Sequence, residues 1–323
     1  MSAAPDRAID THAHVYPATH LDRIEALGVD PATTKIARGL GADSTPEDMG
    51  ERLRWMDTAN VETQVLSAMP QGAYGPAAGA AEATRLVNDE YAALLDRYPG
   101  RFLAYGSLPL PHAEESIAEV RRVLIAPGFV GITIPTVFPD GATLSDPRLD
   151  PIWAELEAQR TVVNIHPTGS GACSHLIADA GLAWVNGAPV EDAIAVLHLL
   201  KADVPGRFPS IRFHIAHLGG DLPFLAQRIE DNYEDWGAFP SSPVAALRRM
   251  WFDAANFHEP SLALAAETFG ATQVMAGSDH PYFQREKYAR AFDYVRGSRL
   301  GEAERAQVLA GNARAMYGGG ADG

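Results

Sequence analysis

Short apolar runs alternate with stretches of helical spacing along most of the chain. The first run, Ile9-Asp10-Thr11-His12-Ala13-His14, reads as a strand that leaves through a turn at Val15-Tyr16-Pro17. A stretch carrying Gly28, Pro31 and Gly41 is expected to be a loop. It ends at Thr45-Pro46-Glu47-Asp48, which supplies a cap, a first-turn proline and acidic groups for the positive end of a helix. Met49, Leu53 and Met56 give that helix one apolar face, which ends near Asn60. Further strands are predicted over 64–68, 102–108, 129–134, 161–165, 211–216, 251–253 and 273–276. Helices are predicted over 82–96, 114–125, 152–160, 189–200, 222–236, 262–269, 288–295 and 302–316. The glycine-rich piece over 168–188, with Trp184 inside it, reads as a pocket loop with short helical turns. Eight strands alternating with helices predict an α/β fold, a (β/α)8 TIM barrel forming one domain over residues 1–323, with substrate-pocket loops around 16–45 and 168–188. Because the strands are short, an open sheet is the alternative.

Composition narrows the partners. With 46% hydrophobic and 21% charged residues the chain can bury a large core and is not broadly disordered. A formal charge of −15 argues against nucleic acid or an anionic membrane as the main partner, but not against a small anionic substrate in a local pocket. Among 26 basic residues only Lys35, Lys201 and Lys287 are lysines, so an anion site is expected to use arginine, whose planar fork suits a carboxylate. Cys173 is the only cysteine; it excludes an internal disulfide and a thiolate-built zinc site, and is expected to be a buried, inert thiol. Residues 1–8 lack a long apolar core and no later run is long enough to span a bilayer, from which a cytoplasmic protein without a membrane partner is expected.

The candidate chemistry starts in the first strand. Residues i and i+2 of a strand point the same way, so His12 and His14 can form a two-nitrogen clamp. His166, His217 and Asp279 could complete it, since each follows a short apolar run and precedes Gly or Pro, where a buried strand opens into a loop. In a barrel those openings share one rim, and separation along the chain is no obstacle. Imidazole nitrogen with carboxylate oxygen suits zinc, manganese, iron or cobalt. An isolated His-x-His pair is as often a packed pair; here its company predicts a metal centre. His214, alternating with Ile215, reads as structural, and His280 is given only a pocket role beside Asp279.

These motifs resemble the amidohydrolase superfamily, in the branch of 2-amino-3-carboxymuconate-6-semialdehyde decarboxylase and related aromatic-acid decarboxylases. The resemblance covers nearly the whole chain and rests on Ile9 to His14, Arg52-Leu53-Arg54-Trp55-Met56-Asp57, the segment from Pro99 to Pro109, His166-Pro167, His217-Leu218-Gly219-Gly220 and Gly277-Ser278-Asp279-His280-Pro281. It implies His12, His14, His166 and Asp279 as ligands of one divalent metal ion, zinc first and manganese as the alternative. It also implies His217 as the residue that bonds the metal's water and transfers protons. Arg228 matches an arginine that enters a neighbouring subunit's pocket to hold a substrate carboxylate, which implies a homodimer; the plain alternative is a solvent-facing arginine on its helix. The chain departs from the muconate-semialdehyde enzyme at Thr168-Gly169, where that enzyme has an aromatic and an acidic residue, and at Leu218, which interrupts its run of glycines. Arg38 is the nearest candidate for its other substrate arginine. The resemblance is nearer to small phenolic-acid decarboxylases of the 6-methylsalicylate type.

The expected function is therefore metal-dependent, non-oxidative decarboxylation of a small aromatic or unsaturated carboxylic acid, an ortho-hydroxybenzoate in particular. A metal ion would hold the carboxylate and the adjacent oxygen, protonation of the ring carbon would create an electron sink, and Asp279 and His217 would handle protons. Trp184 and Tyr282 could wall a flat aromatic slot, or simply pack loops. Two alternatives stand beside this reading. One is a metal-dependent hydrolase of a lactone, amide or keto acid, using water aimed by His217; the other is a non-catalytic metal-binding protein, disfavoured by the presence of His217.

Overall fold

In the computed structural model, which describes residues 7–318, strand β1 (Ala8–His14) pairs in parallel with β2 (Val61–Ser67). Each later strand adds beside the one before it: β3 (Phe102–Gly106), β4 (Phe129–Pro135), β5 (Val162–His166), β6 (Arg212–Ile215), β7 (Trp251–Asp253) and β8 (Val274–Met275). The last strand returns to the first. Thr11 N donates to Ala276 O at 3.0 Å, His14 N to His280 O at 2.7 Å and Asp279 N to His12 O at 2.8 Å, so the sheet closes into the expected barrel. Most strand positions are buried, as strands covered on both faces require. Ile9, Val65, Tyr105, Val162 and Met275 fill the interior toward the bottom, with Ala310, Ala313 and Met316 from the C-terminal segment as a plug.

Helices wrap the outside. Helices α1 (Ala18–Ala26), α2 (Pro31–Gly39) and α3 (Pro46–Thr58) follow β1; α4 (Ala77–Arg97), α5 (Ala113–Leu124) and α6 (Asp150–Ala158) follow the next three strands. After β5 come the short α7 (His175–Ala178), α8 (Ala188–Lys201) and α9 (Val204–Arg207), and after β6 come α10 (Leu222–Trp236) and α11 (Pro243–Leu247). Helix α12 (Glu259–Phe269) follows β7, and α13 (Glu286–Arg296), α14 (Glu302–Ala306) and α15 (Asn312–Gly318) finish the chain. The cap expected before α3 is present: Thr45 Oγ1 accepts from Asp48 N at 3.3 Å. No helix of the described residues is long and apolar enough to cross a membrane.

Several elements differ from their predicted form for physical reasons. The expected loop over 16–45 contains α1 and α2, each only nine residues long. Asp30 caps α2 by accepting from Ala32 N at 2.9 Å, and Leu21 and Ile24 pack with Tyr16 in a small satellite core, too few apolar positions to read as a stripe. Helix α4 begins five residues before its first charged residue because alanines open it, residues that favour helix without marking a face. Strand β2 begins at Val61, with Glu62 and Thr63 only half-buried. The segment over 302–316 is broken by a π-turn, Gln307–Gly311, where Val308 O leaves the helical ladder to accept from Ala276 N at 2.8 Å. Cys173 is exposed rather than buried, because it sits in an irregular turn with φ 58° outside the packed layers.

The Arg52 segment ties α3 to the first strand. Its buried guanidinium donates to Gln64 Oε1 at 2.7 Å and to His14 O at 2.6 Å, and Gln64 Nε2 in turn donates to Asp10 Oδ2 at 2.7 Å. Ser278 Oγ donates to the same oxygen at 2.6 Å. Burial pushes the Asp10 carboxyl up to about 6 against those donors. The network fixes β1 against the segment after β8, which together carry three of the four candidate ligands.

Candidate metal centre

His12 and His14 end β1, His166 ends β5, and Asp279 stands four residues beyond β8. One ligand atom from each lies within 4.8 Å of the others, and all four residues are buried. The tautomers follow from the outer partners. His14 Nδ1 faces Ser67 O at 3.2 Å, His166 Nδ1 faces Pro167 O at 2.7 Å and His12 Nδ1 faces Asp253 Oδ2 at 2.9 Å. Carbonyl and carboxylate oxygens accept only, so each imidazole carries its proton on Nδ1 and presents a bare Nε2 to the centre. Two of those atoms, Nε2 of His12 and of His166, are 3.1 Å apart, and Asp279 Oδ1 is 3.3 Å from His14 Nε2 and 3.6 Å from His12 Nε2. Lone pairs and a carboxylate facing one another with no proton between them fit a cation, and three nitrogens with one oxygen fit a divalent transition metal.

The electrostatics agree for His14 and His166. Burial and the neighbouring rings lower the proton affinity of His166 far below that of free imidazole, and burial lowers that of His14, which keeps both rings in the ligand form. Burial would do the same to His12, but the Asp253 carboxylate outweighs it and raises its affinity. For Asp279 burial opposes ionisation, yet the rings of His14 and His217 hold its carboxyl well below the usual range. Asp279 has φ 54°, a conformation that costs roughly 1–3 kcal/mol outside glycine. Gly277, just before it, passes so close to the site that a Cβ there would lie 3.0 Å from both His12 Cβ and Asp253 Cβ.

His217 stands beside the four. Its Nδ1 is 2.8 Å from Asp192 Oδ2 and its Nε2 is 3.6 Å from Asp279 Oδ2. Burial alone would lower its proton affinity; Asp192 and Asp279 reverse that and hold it well above the ordinary imidazole range. The backbone is left-handed at His217 (φ 52°) and Leu218 (φ 56°), so the position where the resemblance expects glycine has a glycine's conformation, and the buried Leu218 bears the strain. Glu191, the neighbour of Asp192, accepts from Thr168 N at 2.7 Å and Gly171 N at 2.7 Å, so Thr168 anchors the loop after His166-Pro167.

Three functional positions were not singled out from the sequence: Asp253, Asp192 and Tyr16. Asp253 ends β7 and accepts from His12 Nδ1, from His214 Nε2 at 3.1 Å and from the backbone amides of His217 at 3.2 Å and Ala255 at 3.1 Å. An acid at the C-terminal end of a buried strand was the available signal. His214 therefore holds Asp253 and is no ligand. Tyr16 stacks on the His14 ring with centroids 5.8 Å apart, and donates to Met69 O at 3.0 Å. Replacing Asp253 by Asn is expected to weaken metal binding about 10- to 100-fold, because the amide cannot hold His12 and His214 as a carboxylate does. Competition against a chelator measures this; an unchanged affinity would make Asp253 a mere filler.

A cavity of about 330 Å³ opens over His166, His217 and Asp279, with Trp184, Tyr282, Phe257 and Phe283 among its walls. Trp184 and Tyr282 are stacked, with ring centroids 6.1 Å apart and planes 20° apart. The Tyr282 hydroxyl donates to Tyr16 Oη at 3.0 Å, since the proton of Tyr16 is committed to Met69 O. Arg228 is exposed on α10 beside Val190, Ala193 and Leu197, outside the metal cavity of its own chain. Arg38 is not a cavity residue: it is taken up by Asp22 at 2.7 Å and Glu25 at 2.8 Å. His280 is also absent from the metal cavity and lines a separate polar cleft with Arg52 and Gln284, because its ring packs on Tyr288.

A family model described as Amidohydrolase matches residues 9–319. The chain is 31% identical over 247 residues to a 2-amino-3-carboxymuconate-6-semialdehyde decarboxylase of Dictyostelium discoideum, covering 74% of this chain and 68% of the relative. It is 27% identical over 319 residues to a 6-methylsalicylic acid decarboxylase of Penicillium expansum, covering 96% and 95%. Among solved structures, a dihydroxybenzoic acid decarboxylase from Polaromonas sp. JS666 with bound manganese and the inhibitor 2-nitroresorcinol superposes with a TM-score of 0.83 at 21% identity, covering 97% of each chain.

Proposed function

The chain belongs to the amidohydrolase superfamily, in its decarboxylase branch, and on that premise we propose that it removes carbon dioxide, without redox change, from a small aromatic acid of the ortho-hydroxybenzoate class. One observation carries the proposal: three bare Nε2 atoms and a carboxylate converge beneath stacked aromatic rings, with a proton-bearing imidazole at the edge. His12, His14, His166 and Asp279 would hold a divalent cation, which would supply positive charge for the substrate carboxylate and its neighbouring phenolic oxygen. The Trp184 and Tyr282 stack walls one side of the slot for the flat ring and excludes water from it. His217 Nε2 holds the proton, with Asp279 Oδ2 at 3.6 Å as the atom through which it reaches the ring carbon bearing the carboxylate. As that carbon–hydrogen bond forms, the ring loses aromaticity. The carbon–carbon bond then breaks, its electron pair returns to the ring and neutral carbon dioxide leaves.

The donor set favours zinc, with the manganese of the Polaromonas structure as competitor; metal analysis of the purified protein distinguishes them. A cytoplasmic homodimer of single-domain chains belongs to the same reading. In it Arg228, exposed and outside its own cavity, reaches the partner's substrate carboxylate. Arg228→Ala is expected to lower kcat/KM about 10- to 100-fold, mainly through KM, as loss of a charged hydrogen bond does. Mixing that variant with His217→Ala protomers should restore activity, because each mixed dimer has one site with an intact His217 and the partner's Arg228. No gain on mixing would return Arg228 to a solvent-facing role.

Metal-loaded protein incubated with 6-methylsalicylate, other hydroxybenzoates and candidate lactones tests the function. Carbon dioxide and the phenol should appear in equal amounts. Lactone hydrolysis with no carbon dioxide from any acid would overturn the proposal in favour of a hydrolase.

A further inference from the structure

Beside the metal cavity lies a larger one of about 520 Å³, bounded by the turn after α1, by α2, by the segment after β4 and by the loop after β5. Trp184 borders both. Its indole is stacked on Tyr282 on the metal side and lies against the backbone of Gly169, where a Cβ would stand 2.2 Å from Cζ2. Half-exposed, on a five-residue π-turn without a side-chain cap, it forms a thin partition between the two spaces. The walls beyond it include Val29, Ile36, Val137 and Phe138, and none of the lining residues carries a charge. A hydroxybenzoate ring needs no more than the smaller cavity. The larger one has no charged group to hold an anion or a cation, it opens to solvent at Ile36, and the one wall it shares with the catalytic space is the Trp184 indole.

We propose that this chamber receives an extended uncharged substituent of the substrate ring. It makes the preferred substrate an ortho-hydroxybenzoate bearing an alkyl chain of several carbons, with Trp184 as the partition the chain passes. The proposal rests on the decarboxylase reading and adds the substrate class. Each methylene that enters the chamber is expected to lower KM about fourfold, until the chamber is full.

Two series test it on the metal-loaded protein. The first measures kcat/KM for 2,4-dihydroxy-6-alkylbenzoates from methyl to heptyl; the second measures Kd by calorimetry for the matching 5-alkylresorcinols, which contain no carboxylate to lose. Both constants should improve with chain length and then level off. Ile36→Glu, a substitution at a half-exposed position on α2, should flatten the series, bringing the heptyl compounds back to the methyl values. A flat series in the unaltered protein, with the methyl acid releasing carbon dioxide, overturns the chamber and leaves the decarboxylase. Absence of carbon dioxide from every acid overturns the decarboxylase, and the resorcinol affinities then decide the chamber on their own.

Discussion

Protein with His166 replaced by Ala is expected to leave dialysis without its metal and to turn over no faster than the metal-free protein. Three nitrogens and one oxygen make the donor set, and His166 supplies the one nitrogen that comes from neither the first strand nor its neighbour β8. Outer-sphere changes at such sites cost 10- to 100-fold in affinity; loss of a ligand is expected to cost at least that. Thermal unfolding separates loss of the ion from damage to the fold. Metal at a hundredfold excess over Kd stabilises a native protein by about 2.7 kcal/mol, so it should raise the Tm of the parent and leave that of the variant unmoved. Without metal the two should be close, because the substitution also removes the 3.1 Å contact between the lone pairs of His12 and His166. Stoichiometric metal in the variant would mean that the other donors suffice, and His166 would lose its place in the set.

His217→Ala should behave in the opposite way, keeping its metal while kcat falls about 10²- to 10⁴-fold, the range for a lost general acid or base. The three histidine ligands keep their outer partners in this variant, and Asp279 loses only the ring beside its Oδ2. What changes is the proton beside Asp279 Oδ2, and the partner of Asp192. Asp192 is buried, and its Oδ1 has no hydrogen-bond partner among the described residues, so the variant is also expected to lose about 1–3 kcal/mol of stability. His217→Gln, which can still donate to Asp192, should recover much of that stability and little of the turnover. The measurements are the metal-to-protein ratio, single-turnover rates and unfolding midpoints on one preparation. A variant depleted of metal would make His217 a fifth ligand and remove the separate proton-transfer role.

The barrel was legible because its strands are short runs of apolar residues, and the centre because His12 and His14 share one strand face while His166 and Asp279 sit at strand ends. The supporting layer was hidden for a different reason. Asp192 lies inside an apolar helix and Asp253 at the end of a three-residue strand, and neither has a neighbour in sequence that betrays its partner. Their meaning comes from pairing across the barrel, Asp253 with His12 across 241 positions and Asp192 with His217 across 25. Helices α1 and α2 were hidden by shortness, and the exposure of Cys173 by a turn whose conformation its composition does not announce. Arg228 was singled out through its motif, yet a single chain places it away from the cavity it is proposed to serve.

The seam of the barrel and three of the four donors come from the same two stretches, Thr11 to His14 and Ala276 to His280. During synthesis the carboxylate of Asp279 emerges 265 residues after His14, about 13 to 50 seconds at ordinary ribosomal speed. For that interval the growing chain can offer an ion only a partial grip. Secure capture would wait until β8 has docked, and a cation would then fasten the first strand to the segment after the eighth like a clasp.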